Sequence, residues 1–468
     1  MQKIPKEFII LLVSILLFLT PQYLRACKGE PALIGYPTYF HARISENMLQ
    51  GIFFYDPLSF QGREFYYPPL FHILLAVTAF LFNITTTKAC VILPPLLGGM
   101  SAVMLYKILG KLGYTYKFIT TLAFLSIPWT IYTFGHCNSR VLAFLLGLIS
   151  LYYLMCGQKN KSKLSLILGI IAHPIPALFF ILVNLLYILF KGNSFTKTAK
   201  AYLATPLLFF LLFHIMIFLQ FGIPGYNLLH EQYLSTDGSS LHTSDIRDLF
   251  QISEKIGALS ISITLFSLIG LRRRNPFVIS ILLIALPLSI LAERFRIFLP
   301  FAVILLFAES IKIMENRINR KKLYLLLIII ILASVYQSLS LIELLSNIGP
   351  SNCLVNLFIS LRANTDENSC VMVNPPWGHW TEYFTGRKTF MDAFAEYTPE
   401  ADERTALLRK VFCGNIDKQE IQKFNITHIL YYEGDYWLFK NMDCEINLNK
   451  PYLKKISNLS CGYILTVE

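Results

Sequence analysis

The sequence predicts a polytopic α-helical membrane protein with about eleven spans and a C-terminal extracytoplasmic α/β domain. Three observations predict it: apolar runs recur through the first 345 residues, basic residues cluster between those runs, and residues 346–468 turn polar. With 54% hydrophobic residues, 15% charged residues and a mean hydropathy of +0.53, the 468-residue chain has too much apolar surface for a soluble fold. The net charge of +12 is not a nucleic-acid footprint, because the positive residues sit in short loops between apolar stretches. Membrane lipid, and no nucleic acid, is the expected partner.

Along the chain, Lys3 and Lys6 precede an apolar run from Phe8 to Leu19, a pattern shared by signal peptides and retained first helices. A retained helix is expected, because the next motif must stay near the membrane. Runs of spanning length, roughly 17–25 residues, follow near 88–107, 117–135, 140–156, 199–221, 255–271, 276–293, 296–314 and 323–345, with the first near 7–24. The run 163–191 is broken at His173-Pro174-Ile175-Pro176 and reads as two spans meeting at a turn, since proline removes a donor and clashes with the preceding helical turn. Pro68–Phe82 is apolar but short, and is taken as non-spanning. Lys107/Lys111/Lys117, Lys159/Lys161/Lys163, Lys191/Lys197/Lys200, Arg272–Arg274 and Arg317/Arg320/Lys321/Lys322 then share one face, which the positive-inside bias makes cytoplasmic. The N-terminus is thus cytoplasmic, and the opposite face carries the loops 25–87 and 222–254, the turns at 136–139 and 293–296, and the C-terminal domain.

The expected domains are 1–345, transmembrane with a large first external loop 25–87, and 346–468, a small α/β unit. Within the second, Cys370–Val373, Thr427–Tyr432 and Tyr463–Val467 read as strands, and Pro399–Phe412 and Lys418–Phe424 as helices. Five of the nine cysteines (Cys353, Cys370, Cys413, Cys444 and Cys461) lie there without CxxC metal spacing, which leaves disulfide pairing open.

The candidate chemistry lies on the external face. Tyr39–Gly51 reads as an amphipathic helix at the membrane surface, with Tyr39, Arg43, Glu46 and Gln50 on one face. Arg43 is placed to hold a phosphate and Glu46 to accept a proton; the bland alternative is a solvated ion pair. Asp56, before Pro57, is a candidate base or a turn residue bonding its own backbone. Arg294 and Arg296 sit where two spans meet, either as phosphate ligands, for which the forked guanidinium is suited, or as interface anchors. His173, between two half-length runs, faces a cavity or caps a turn.

Four segments carry a resemblance. Cys90-Val91-Ile92-Leu93-Pro94-Pro95-Leu96-Leu97-Gly98-Gly99, Tyr66-Tyr67-Pro68-Pro69-Leu70, Tyr55 to Arg63 and Trp377-Gly378-His379-Trp380 resemble the catalytic subunit of oligosaccharyltransferase, a GT-C-type membrane glycosyltransferase. The likeness covers roughly 25–160 and returns at Asn374–Phe394. It implies a GT-C fold and transfer of a sugar or oligosaccharide from a polyprenyl-(pyro)phosphate donor to a protein or glycan acceptor. It also implies substrate-binding roles for Arg63, Glu231, Trp377, His379 and Trp380, and for an arginine such as Arg294 or Arg296 against the carrier phosphate. The family's acceptor-recognising W-W-D is replaced by Pro375-Pro376-Trp377.

Where the resemblance puts the family's metal-binding acids, this chain has Pro37, Asn138 and Arg140. A divalent cation wants several carboxylate oxygens. Neither a metal nor another cofactor is therefore expected, with Arg140 supplying positive charge in the ion's stead. A catalytically degenerate relative that binds lipid carrier or assists another transferase is the alternative. A transporter is disfavoured, since no inverted repeat is visible and the polar residues avoid the midplane.

Overall fold

The computed structural model describes residues 4–64, 67–191, 195–221, 259–291, 293–393, 400–414, 418–433 and 447–468. It divides into two compact units: the described residues of Met1–Leu24, Pro68–Met216 and Leu241–Asn347 form the first, and those of Arg25–Tyr67, Ile217–Ser240 and Ile348–Glu468 form the second. The sequence boundaries assign all of 25–87 to the membrane part. In the structure Arg25–Tyr67 belongs instead with the C-terminal residues, because its helix Tyr36–Leu49 packs on the helix Pro375–Thr385.

The first unit is helical. Five helices are long and apolar enough to cross a membrane: Lys6–Cys27, Thr86–Lys111, Pro174–Lys191, Phe295–Glu315 and the helix beginning at Arg320. The run expected as one span over 117–135 is two helices, Lys117–Leu125 and Pro128–Gly135, bent by 69°. Pro128 starts the second helix and has no N–H to continue the first. The helices Leu70–Leu81, Arg140–Met155, Ala204–Met216 and Pro276–Ile290 are apolar but shorter. Helix length alone therefore supports up to six spans among the described residues, not eleven.

Packing in this unit turns on aromatic rings and one close approach. Every residue from Leu299 to Ile311 is buried, the apolar ones by packing and Glu309 by its bonds to Tyr114, Arg273 and Asn275. Phe298 stacks on Phe179 at 4.1 Å, and Phe144, Phe180 and Phe301 meet nearby. A Cβ on Gly98 would lie 2.7 Å from the Phe134 side chain, and one on Gly99 2.9 Å from Leu11, so Gly98 lets the helix Thr86–Lys111 approach Pro128–Gly135 and Gly99 lets it approach Lys6–Cys27.

The second unit joins a short hairpin, β1 (Tyr55–Asp56) and β2 (Arg63–Glu64), to a five-stranded sheet. That sheet comprises β3 (Cys370–Met372), β4 (Lys388–Thr389), β5 (His428–Tyr432), β6 (Leu453–Leu459) and β7 (Gly462–Val467), in the order β4-β3-β5-β7-β6. β3 pairs in parallel with β4 and β5, while β7 is antiparallel to β5 and β6. Helices Ala401–Phe412 and Lys418–Lys423 supply Leu408, Phe412 and Ile421 to a core that also takes Phe60 and Phe390. A disulfide links Cys353 to Cys461, 108 residues apart.

Candidate functional site

In the second unit, the helix Tyr36–Leu49 is more buried than an interfacial helix should be: Thr38 to Ser45 are all buried. Its Arg43 and Glu46 do not pair on a solvated face. Glu46 is exposed, whereas Arg43 points inward and donates through both terminal nitrogens to Asp56, with Nη2 also 2.7 Å from Glu382 Oε2. Asp56 behaves as the turn residue of the two alternatives, since its Oδ1 accepts the backbone N–H groups of Leu58 and Ser59, each at 3.2 Å.

The network continues through the helix Pro375–Thr385. Glu382 accepts from Thr389 Oγ1, and its Oε2 lies 3.4 Å from His379 Nδ1. The same His379 nitrogen is 3.6 Å from Asp392 Oδ2, which also takes the Ser59 hydroxyl, and Arg63 Nη2 stands 3.7 Å from Asp392 Oδ1. Gly378 makes this geometry possible, because a Cβ there would lie 2.6 Å from the Asp392 Cα. Of the expected site residues, Arg43, Asp56, Arg63 and His379 thus meet. Glu382 and Asp392 complete the group, and sequence reasoning assigned neither a role; the aromatic-rich stretch that contains them was the available signal.

The electrostatics follow from burial and pairing. Burial alone would raise the Asp56 carboxyl, but Arg43 and the N–H donors pull it down to about 2. A carboxylate so strongly held is a weak base. Glu382 is raised, since burial and repulsion from Asp392 outweigh Arg43, while Asp392 is lowered against burial by His379 and Arg63. Burial pushes the Arg43 guanidinium down, but its carboxylates raise it further, so it stays charged. Arg43 therefore serves the carboxylates already around it.

Trp377 and Trp380 form a second cluster in this unit, stacked at 4.5 Å, with Trp380 edge-on to Tyr39 at 6.4 Å. The Trp380 Nε1 and Tyr39 hydroxyl are buried without a hydrogen-bond partner.

In the first unit, Arg296 is buried in the short helix Glu293–Phe298, with its guanidinium 5.5 Å from the Trp129 ring centre. Arg140 opens the helix Arg140–Met155, half-buried, two residues after Asn138. Asn138 is buried and donates to the Thr133 carbonyl at 2.9 Å, leaving its own Oδ1 without a partner. A guanidinium over an indole and an arginine at a helix N-terminus are each chemistry for an anion. His173 takes the capping role: its Nδ1 accepts from the Ile175 N–H at the start of the next helix. Glu231 and the side chain of Arg294 lie outside the described residues, as do Phe65 and Tyr66.

No family model matches the sequence, and no curated protein does. Solved structures match in fold. The apo oligosaccharyltransferase of Archaeoglobus fulgidus aligns with a TM-score of 0.66 and 13% identity, over 96% of this chain and 73% of its own. The chain has a GT-C fold. Two further GT-C glycosyltransferases share it. ArnT from Cupriavidus metallidurans, solved bound to undecaprenyl phosphate, aligns at TM-score 0.60 and 10% identity, over 98% of this chain and 97% of that one. The mycobacterial arabinofuranosyltransferase AftD aligns at 0.58 and 12% identity, over 100% of this chain but 40% of its own. The archaeal enzyme has also been solved with an inhibitory peptide and a dolichol-phosphate.

Proposed function

We propose that this GT-C membrane protein transfers a sugar or oligosaccharide from a polyprenyl-phosphate or polyprenyl-pyrophosphate donor to an extracytoplasmic acceptor. The observation that carries the reading is the end-to-end fold match to ArnT, which was solved bound to undecaprenyl phosphate. Arg296 over Trp129, with Arg140 at a helix N-terminus, is the group suited to the phosphate. In the reaction the bond from the sugar carbon to phosphate oxygen breaks, its electrons leave with the phosphate, and an acceptor oxygen bonds the carbon. The acceptor's proton ends on solvent or on the released phosphate, whose second pKa is about 6. With Pro37, Asn138 and Arg140 where the family's acids fall, transfer proceeds without a catalytic metal.

Two features support an outward second unit. Its Cys353–Cys461 disulfide suits an oxidising compartment, and the positive-inside bias makes the side of the basic clusters cytoplasmic.

A second reading, a relative that binds carrier without turning it over, is favoured by one observation: Asp56, one of the two expected bases, is buried and neutralised by Arg43. Purified protein in detergent with labelled polyprenyl-phosphate and polyprenyl-pyrophosphate sugars, with and without chelator, separates the readings. Release of free carrier that persists in chelator is the expected result. Carrier binding without release gives the second reading, and neither binding nor release overturns both.

A further inference from the structure

The geometry points to a metal site that the family resemblance does not supply: His379, Glu382 and Asp392, in the second unit, form a three-ligand centre for Zn²⁺. Their donor atoms all lie within 4.8 Å of one another, and all three residues are buried. His379 Nδ1 is 3.4 Å from Glu382 Oε2 and 3.6 Å from Asp392 Oδ2. Ligands about 2.0–2.2 Å from a tetrahedral zinc stand roughly 3.3–3.5 Å apart, so two edges of the triangle are already near the required length. Solvent or hydroxide completes the fourth position.

The surroundings are those of a supported ligand set. Thr389 holds the other oxygen of Glu382, and the Ser59 hydroxyl binds Asp392. Such outer partners fix the orientation of metal-binding carboxylates. Arg43 shares Glu382 Oε2, which is compatible with an ion because a carboxylate oxygen has two lone pairs. Arg43 and Arg63 face Asp56, Glu382 and Asp392, so with neutral His379 the buried group carries one excess negative charge. A cation bearing hydroxide cancels it. Imidazole together with carboxylates selects zinc over magnesium. The ion is structural: it ties the helix Pro375–Thr385 to the segment after β4, and is independent of any metal requirement for glycosyl transfer.

The alternative that also balances the charge is a proton shared within the group, and the test separates the two. Full-length protein purified in detergent is analysed for bound metal by mass spectrometry, then stripped with 1,10-phenanthroline and titrated with Zn²⁺, Mn²⁺ or Mg²⁺ while its thermal midpoint is followed. The site predicts about one zinc per chain, a rise in midpoint with zinc but not with magnesium, and loss of zinc in His379→Ala. Should that variant fail to fold, Ser59→Ala and Thr389→Val serve instead, each lowering zinc affinity by about 10–100-fold. Wild-type protein that holds no zinc and gains no stability from it overturns the site in favour of the proton. Zinc retained in His379→Ala, or unchanged affinity in both outer variants, overturns it too.

Discussion

The two units keep their arginines in opposite ways. In the second, Arg43 is buried against Asp56 and Glu382, and the other members of the group also have partners within the unit. In the first, Arg296 is buried against an indole and Arg140 stands at a helix start beside Asn138, whose Oδ1 has no partner. The contrast teaches where ligand chemistry is to be sought. Both guanidiniums are buried, but Arg43 meets two carboxylates whereas Arg296 lies over an aromatic face.

The largest expected effect breaks the second unit's network. Asp56→Ala leaves Arg43 buried without its main partner, and removing one member of a buried pair costs about 3–5 kcal/mol. Urea or thermal unfolding in detergent should show a loss of that order. Replacing the pair together, as Arg43→Met with Asp56→Leu, should recover much of it. A loss below about 1 kcal/mol for Asp56→Ala would mean that the network is solvated.

Next comes the first unit. Arg296→Ala should weaken polyprenyl-phosphate binding by about 1.5–3 kcal/mol, the worth of a charged hydrogen bond. It should leave unfolding of the second unit unchanged. Equal loss of binding in Arg296→Ala and in the exposed-site variant Glu46→Gln would remove the distinction.

A smaller effect is expected from acid. Asp56 is depressed from an ordinary 3.8 to about 2, so its contribution is complete above about pH 4 and is lost as pH falls toward 2. Glu382 is raised, so it works in the opposite sense, stabilising most below its ordinary 4.5 and less as pH rises. Glu382→Gln should therefore remove a gain in stability on acidification toward pH 4.5 and leave the acid limb below about pH 4 in place. A profile identical to wild type would show that Glu382 does not titrate apart from its neighbours.

How much of this was legible in the sequence depended on the range of the interactions. The strands beginning near Cys370, Thr427 and Tyr463, and the helices ending at Phe412 and near Phe424, carry local patterns and were found within one or two residues. β6 was missed because its exposed Lys454, Lys455 and Asn458 hide the alternation. The bend at Ser126-Ile127-Pro128 was hidden inside a continuous apolar run. Arg43 was singled out, but its partner Glu382 lies 339 residues away and no local spacing announces the pair. The cysteine bridge was open for the same reason.

Native mass spectrometry of the detergent-solubilised protein with a polyprenyl phosphate tests the central claim most directly. The account predicts one bound lipid phosphate per wild-type chain, affinity at least about tenfold weaker in Arg296→Ala, and affinity unchanged in Glu382→Gln. Binding indifferent to Arg296, or abolished by Glu382→Gln, would contradict it.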